Sequence, residues 1–227
     1  TRLFLLFAAP PERDLEWSDQ GVAGCHRFLH RLWNLVNSLL PEIAIFRSYQ
    51  GIGDDLAPAL WDFRHKLHKT IKKVTDDIED SFHFNTAIAA VMELVNAFYQ
   101  AVENIPRDGD DVVIQEVFRE AIEAIILLLS PMVPHIAEEL WQVIGHDYSL
   151  QTCCWPEAQA EALEEPYYEV VVQINGKVRG RVKVHASDSE VLKEAKIVSD
   201  QTLRKWGTDL RKRVVWARNG KLVNIVV

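Results

Sequence analysis

Apolar residues recur every three to four positions as far as about residue 145, and every second position after Pro156. Side chains about 3.6 residues apart line one face of a helix, whereas alternate side chains line one face of a strand. A chain that changes period once is built from two kinds of unit. The pattern predicts an α-helical bundle followed by a small α+β domain with two β-hairpins.

In the helical part, Ser18-Asp19 are good cap residues, and Val22, Cys25, Leu29, Leu32, Val36 and Leu39 follow at helical spacing. Pro41 is expected to end that helix. A second helix is expected from about Pro58 to Ser81, with Leu60, Leu67, Ile71, Val74 and Ile78 turned inward. Asn85 is the expected cap of a third, carrying Ile88, Val91, Leu94, Val95 and Phe98. PRDGDD (106–111) reads as a loop, residues 112–129 as a fourth helix, and Pro134 to Gly145 as a fifth. The acidic stretch 157–166 shows no apolar face and reads as a linker. The expected domains are therefore 1–156 (helical), 157–166 (linker) and 167–227 (α+β). In the last, residues 168–175 and 177–184 meet at Asn175-Gly176, and 213–218 and 221–227 meet at Asn219-Gly220. Asn-Gly is the favoured dipeptide of two-residue hairpin turns. Ser187-Asp188-Ser189 is placed to cap a helix running to about Val198.

Charge divides at the same place. Residues 1–165 hold 12 Lys/Arg against 27 Asp/Glu, a net of −15, while residues 166–227 hold 13 against 6, a net of +7. A basic folded unit attached to an acidic one points to a polyanionic partner. The longest apolar runs, such as AIILLL (124–129), are too short to span a bilayer. The N-terminus has no basic region or cleavage site of a signal peptide, and the chain reads as a piece of a larger protein. Cys25, Cys153 and Cys154 form no even disulfide framework, which suits a reduced, cytoplasmic setting.

No catalytic constellation is present: no His-Glu-x-x-His, no Cys-x-x-Cys, no phosphate-binding glycine loop and no dinucleotide fingerprint. His65 and His68 could ligate a metal, but Arg64, Lys66 and Lys69 beside them would repel a cation, so solvated surface histidines are expected. Vicinal Cys153-Cys154 lack zinc-ligand spacing and read as packed thiols. Glu138-Glu139 read as solvating their helix. No catalytic or metal residue is assigned.

Three surfaces could bind a polyanion. His65, Lys66, Lys69, Lys72 and Lys73 are expected to project away from the Leu67/Ile71/Val74/Ile78 stripe. Arg27, Arg31 and Asn34 share a polar helix face, a weaker signal that reads first as solvated surface. Lys177, Arg179, Arg181 and Lys183 alternate with Val178, Gly180, Val182 and Val184, so period two places all four cations on one strand face. Like charges in a row repel and need a reason. Phosphate contacts are the functional reading, an exposed sheet face the bland one. Arg211, Lys212, Arg213 and Lys221 extend the cationic character.

Longer motifs carry a family likeness. AAPPERDLEWSDQGVAGCHRFLHRLWNLV (8–36) resembles the segment that follows the catalytic domain of bacterial leucyl-tRNA synthetases. HKTIKKVTDDIEDSFHFNTAIAAVMELVN (68–96) and SPMVPHIAEELWQVIG (130–145) resemble the helical anticodon-binding-type domain of the leucyl, isoleucyl and valyl class I enzymes. VQINGKVRGRVKV (172–184) and KLVNIVV (221–227) resemble the C-terminal domain of the leucyl enzyme. The likeness covers essentially the whole chain.

The resemblance implies a leucine–tRNA ligase parent that uses ATP and Mg in parts preceding Thr1. The family's ATP-binding motifs are absent here, so this piece is expected to be inactive alone and to need no cofactor. It implies tRNA(Leu) as partner, with neither membrane nor DNA involved, in a monomer of the cytoplasm. The residues expected to touch tRNA are Arg27, Arg31, Lys66, Lys69, Lys73, Lys177, Arg179, Arg181 and Lys221. The rival readings are a helical protein–protein interaction module with a basic appendage and the equivalent piece of an isoleucyl or valyl enzyme.

Overall fold

The structure is a computed structural model that describes residues 1–10, 12–51, 53, 56–106, 112–164, 167–185, 188–207, 213–217 and 220–226. Six α-helices come first: α1 (Arg2–Ala8), α2 (Asp19–Ile43), α3 (Pro58–Ser81), α4 (Phe84–Asn104), α5 (Val112–Leu129) and α6 (Pro134–Val143). The expected loop at 106–111 falls, but for Pro106, outside the described residues. The chain divides into two units, Thr1–Ile52 with Asp62–Leu163, and Gly53–Trp61 with Glu164–Val227.

The first unit is a helical bundle. Ser18 Oγ accepts the Gly21 N–H at 3.1 Å and opens α2. The helix continues past Pro41 to Ile43, correcting the expected end. A proline in the last turn removes only one ladder bond, and the Ala44 N–H still reaches the Leu40 carbonyl at 3.0 Å. Between α3 and α4, Phe82 takes a left-handed φ of 50° and the His83 N–H returns to the Asp77 carbonyl at 2.9 Å. This closure satisfies a terminal carbonyl and leaves only two residues between helices. α4 therefore starts at Phe84 behind His83, and Asn85 lies inside the first turn rather than capping it.

The core is aliphatic around three rings. Phe63, Phe98 and Phe118 pack with centroids 4.8, 5.0 and 5.8 Å apart, and Leu32, Leu35, Val36, Leu67, Val74, Leu94 and Ile125 of the same unit are buried. Two arginines of this unit are also buried, each with a carboxylate: Arg64 Nε lies 2.9 Å from Glu120, and Arg119 Nε lies 2.6 Å from Glu123. A buried guanidinium needs such a partner, because desolvating it alone is costly.

His65 and His68 are also buried, contrary to the expected surface location. His68 Nε2 meets Glu120 at 3.0 Å and its Nδ1 accepts the Gln159 N–H at 3.2 Å. His65 Nδ1 lies 2.7 Å from the Ala162 carbonyl. Residues of the acidic segment 157–163 thus pack on α3, and a one-turn 3₁₀ helix (Glu161–Leu163) buries Ala162 there. The histidines turn inward because the covering segment supplies their polar partners.

The second unit is a four-stranded sheet in the order β2-β1-β4-β3, from β1 (Tyr167–Ile174), β2 (Lys177–His185), β3 (Arg213–Trp216) and β4 (Leu222–Val226). β1–β2 and β3–β4 are antiparallel hairpins, joined through a parallel β1–β4 seam. Asn175 (φ 49°) and Gly176 (φ 78°) give the expected turn with both central residues left-handed. Asn219 lies outside the described residues. Two helices, α7 (Glu190–Ser199) and α8 (Gln201–Arg204), cover one face. Ser189 caps α7 and Asp200 caps α8. Val170, Val172, Ile174, Val182, Val184, Ile197, Leu203, Val223 and Ile225 form the core.

One strand departs from simple alternation. Val172 pairs with Gly180, but Gln173 pairs with Val178, so Arg179 is an extra residue in a β-bulge. Lys183 and Arg181 lie opposite Glu169 and Val171, whereas Lys177 lies opposite buried Ile174. The four cations do not share one face, because the bulge shifts the register between Lys177 and Arg181.

Candidate nucleic-acid interface

On the first unit, three of the lysines of α3 meet carboxylates. Lys66 pairs with Glu93 at 3.0 Å, Lys72 with Asp76 at 2.9 Å and Lys73 with Asp77 at 2.9 Å. The last two are i,i+4 pairs on one helix face. Lys69, Lys72 and Lys73 are exposed and Lys66 is half-buried, while His65, expected in the same stripe, is buried. On α2, Arg27 and Arg31 are exposed. The Arg31 guanidinium lies over the Tyr99 ring at 5.0 Å, and Tyr99 Oη donates to the Arg31 carbonyl at 2.7 Å. α4 thus supplies a flanking side chain to both cationic helices, Tyr99 to α2 and Glu93 to α3.

On the second unit, Arg181 pairs loosely with Glu169 at 3.3 Å, and Lys183 lies over the Tyr167 ring at 4.8 Å. Arg179, ejected by the bulge, lies 3.7 Å from the centroid of Trp206. Lys177 and Lys221 are exposed. Arg211 and Lys212 fall outside the described residues. Lys196 meets the buried Asp188 carboxylate at 2.6 Å and is committed to structure. Burial pushes the Asp188 carboxyl up, but Lys196 and the His185 N–H outweigh it and hold it below the usual carboxylate range.

The cations are therefore split between the units, four on α3 and two on α2 in the first, and the β2 set with Lys221 in the second. Tyr99 and Trp206 were not singled out in the sequence. The string Arg204-Lys205-Trp206 carries a usable signal, an aromatic directly following cations, whereas the Tyr99–Arg31 contact joins residues 68 apart and leaves none.

Cys153 is half-buried, but Cys154, expected as a packed thiol beside it, is exposed. Burial pushes the Cys25 thiol up, and burial followed by Glu138, Cys154 and Glu123 pushes Cys153 up, so neither is tuned as a thiolate. Glu138, expected only to solvate its helix, accepts the Leu150 N–H at 3.2 Å. Among the described residues no group of three or more His, Cys, Asp or Glu side chains could hold a metal ion. No helix among them is long and apolar enough to cross a membrane.

A helical unit bearing cationic helix faces, followed by a basic hairpin unit, fits the comparisons with known proteins. The family model of the anticodon-binding domain of tRNA ligases matches residues 61–197, and the chain belongs to that family. Within it, the chain is similar along its full length to leucine–tRNA ligases. It is 48% identical over 228 residues to that of Syntrophobacter fumaroxidans and 49% identical over 233 residues to that of Geotalea daltonii. It spans 27% of the length of each of these relatives. Among solved structures, it resembles the LeuRS of Agrobacterium radiobacter K84 crystallised in a ternary complex with tRNA and LeuAMS. The TM-score is 0.66 at 25% identity, covering 99% of this chain and 28% of that one.

Proposed function

We propose that this chain is the tRNA-docking C-terminal part of a leucine–tRNA ligase, which holds tRNA(Leu) while leucine activation and transfer take place elsewhere in the protein. The observation that carries the reading is similarity along the whole chain to about a quarter of the length of such ligases, combined with exposed cations on both units. Arg27, Arg31, Lys66, Lys69 and Lys73 serve the first unit, and Lys177, Arg179, Arg181 and Lys221 the second. Surface cations of this kind bind the phosphate backbone and position an RNA without reading its sequence. ATP and Mg chemistry is assigned to none of these residues, which carry neither the ATP motifs nor a ligand cluster. The parent works as a cytoplasmic monomer on this reading.

The test is removal of residues 166–227 from the full-length ligase. Leucine-dependent ATP–pyrophosphate exchange persists, and transfer of leucine to tRNA(Leu) falls with weakened tRNA binding. Transfer at the wild-type level would refute the docking role.

A further inference from the structure

The Arg179–Trp206 stack is assembled by three separate devices. The bulge in β2 makes Arg179 an extra residue, released from the regular pairing of the strand. Gly180 next to it admits α8, since a Cβ at that position would come within 2.9 Å of Leu203 Cδ2. Leu203 is fully buried, and the Trp206 N–H bonds to its carbonyl at 2.9 Å. The turn after α8 therefore fixes the indole beside Arg179.

Trp206 nonetheless remains 39% exposed. Its ring faces the Arg179 guanidinium at 3.7 Å, and Lys205 Nζ lies 6.0 Å from the ring centroid. Arg204 and Lys205 are themselves exposed. Unlike Arg181, Arg179 has no carboxylate partner among the described residues. A planar π surface held at the water boundary among cations matches what an unstacked nucleobase needs. The ring or the guanidinium plane takes the base, and the cations take the adjoining phosphates.

We propose that Arg179 and Trp206 form a nucleobase-stacking platform, on which an unpaired base of the bound tRNA lies while Arg179, Arg204 and Lys205 meet its flanking phosphates. This rests on the tRNA-docking reading and adds a contact made to a base rather than to the backbone. Stacking and phosphate binding leave different signatures. Removing one phosphate-binding cation lowers the slope of log affinity against log salt by about 1, whereas removing a stacking ring lowers affinity at every salt concentration.

The experiment measures tRNA(Leu) binding by the full-length ligase over a potassium chloride series, for Trp206→Phe, Trp206→Leu and Arg179→Ala. Phenylalanine keeps a ring to stack, and leucine keeps apolar bulk without one. Trp206→Phe binds within about threefold of wild type, while Trp206→Leu weakens binding roughly 5- to 100-fold with its salt slope intact. Arg179→Ala weakens binding and lowers the slope by about 1. Wild-type affinity in Trp206→Leu, or equal weakening in the Phe and Leu variants, would overturn the platform. A drop in slope in Trp206→Leu matching that of Arg179→Ala would overturn it too, since the indole would then only position Arg179. If binding is unaffected by removing residues 166–227, it is the docking reading itself that fails.

Discussion

Lys66 and Lys73 each hold a carboxylate at about 3 Å, yet both remain open to water. Exposed ion pairs contribute only about 0–1 kcal/mol each, so a phosphate displaces such a carboxylate at little cost. Changing Lys66, Lys69 and Lys73 together to Ala in the full-length ligase lowers the log–log salt slope of tRNA binding by up to about 3, one for each phosphate that is no longer neutralised. An unchanged slope would return these lysines to helix-surface pairing. Asp188 is the opposite case, buried and bound to Lys196. Its carboxyl titrates below the ordinary value of 3.8, so its contribution to stability is present above about pH 4 and is lost as the pH falls through the depressed value. Asp188→Asn keeps an acceptor for the His185 N–H but loses the charge. Its melting temperature is lower than wild type at pH 7, and the gap narrows as the pH is lowered below 4. A gap independent of pH would mean that the charge contributes nothing.

The β1–β2 hairpin depends on two glycines in different ways. A Cβ at Gly176 would meet nothing within 4 Å, so the only obstacle there is its φ of 78°. Gly176→Val forces a β-branched residue into that region, costing about 1–3 kcal/mol, while Gly176→Asn is nearly silent. At Gly180 the backbone is ordinary but space is short, and Gly180→Ala costs about 1 kcal/mol or more by pushing Leu203 aside. Urea unfolding of the three variants checks both statements. Equal losses for Val and Asn at position 176 would contradict the conformational argument. The turn was legible in the sequence because Asn175-Gly176 acts locally. The bulge was not, because residues 177–184 alternate without interruption and the slip appears only against β1. The helix periods of α2 to α6 were equally plain. His65 and His68 escaped because their partners, Ala162 and Glu120, lie 97 and 52 residues away. The candidate cations could be picked out as exposed positions, but not their carboxylate and aromatic neighbours, which come from other elements.

The two units are not cut from the chain at one point, since Gly53–Trp61 groups with the C-terminal residues. Within that unit Trp61 packs edge-on against the buried His185 ring at 5.3 Å. Residues 164–227 expressed alone therefore melt at a lower temperature than the same unit in the full chain, and Trp61→Ala in the full chain reproduces part of that loss. Equal melting temperatures would show that the segment adds nothing. The sheet of this unit has a mechanical consequence. β1 and β4 lie side by side and run in the same direction, paired at four positions from Val171–Leu222 to Ile174–Ile225. Tension applied between the residues entering β1 and those leaving β4 pulls the two strands lengthwise past each other. The seam is loaded in shear, and its bonds share the load instead of opening one after another like a zip. A hairpin held at its open end has no such protection. A load applied between the entrance of β1 and the exit of β4 is thus shared along the whole seam.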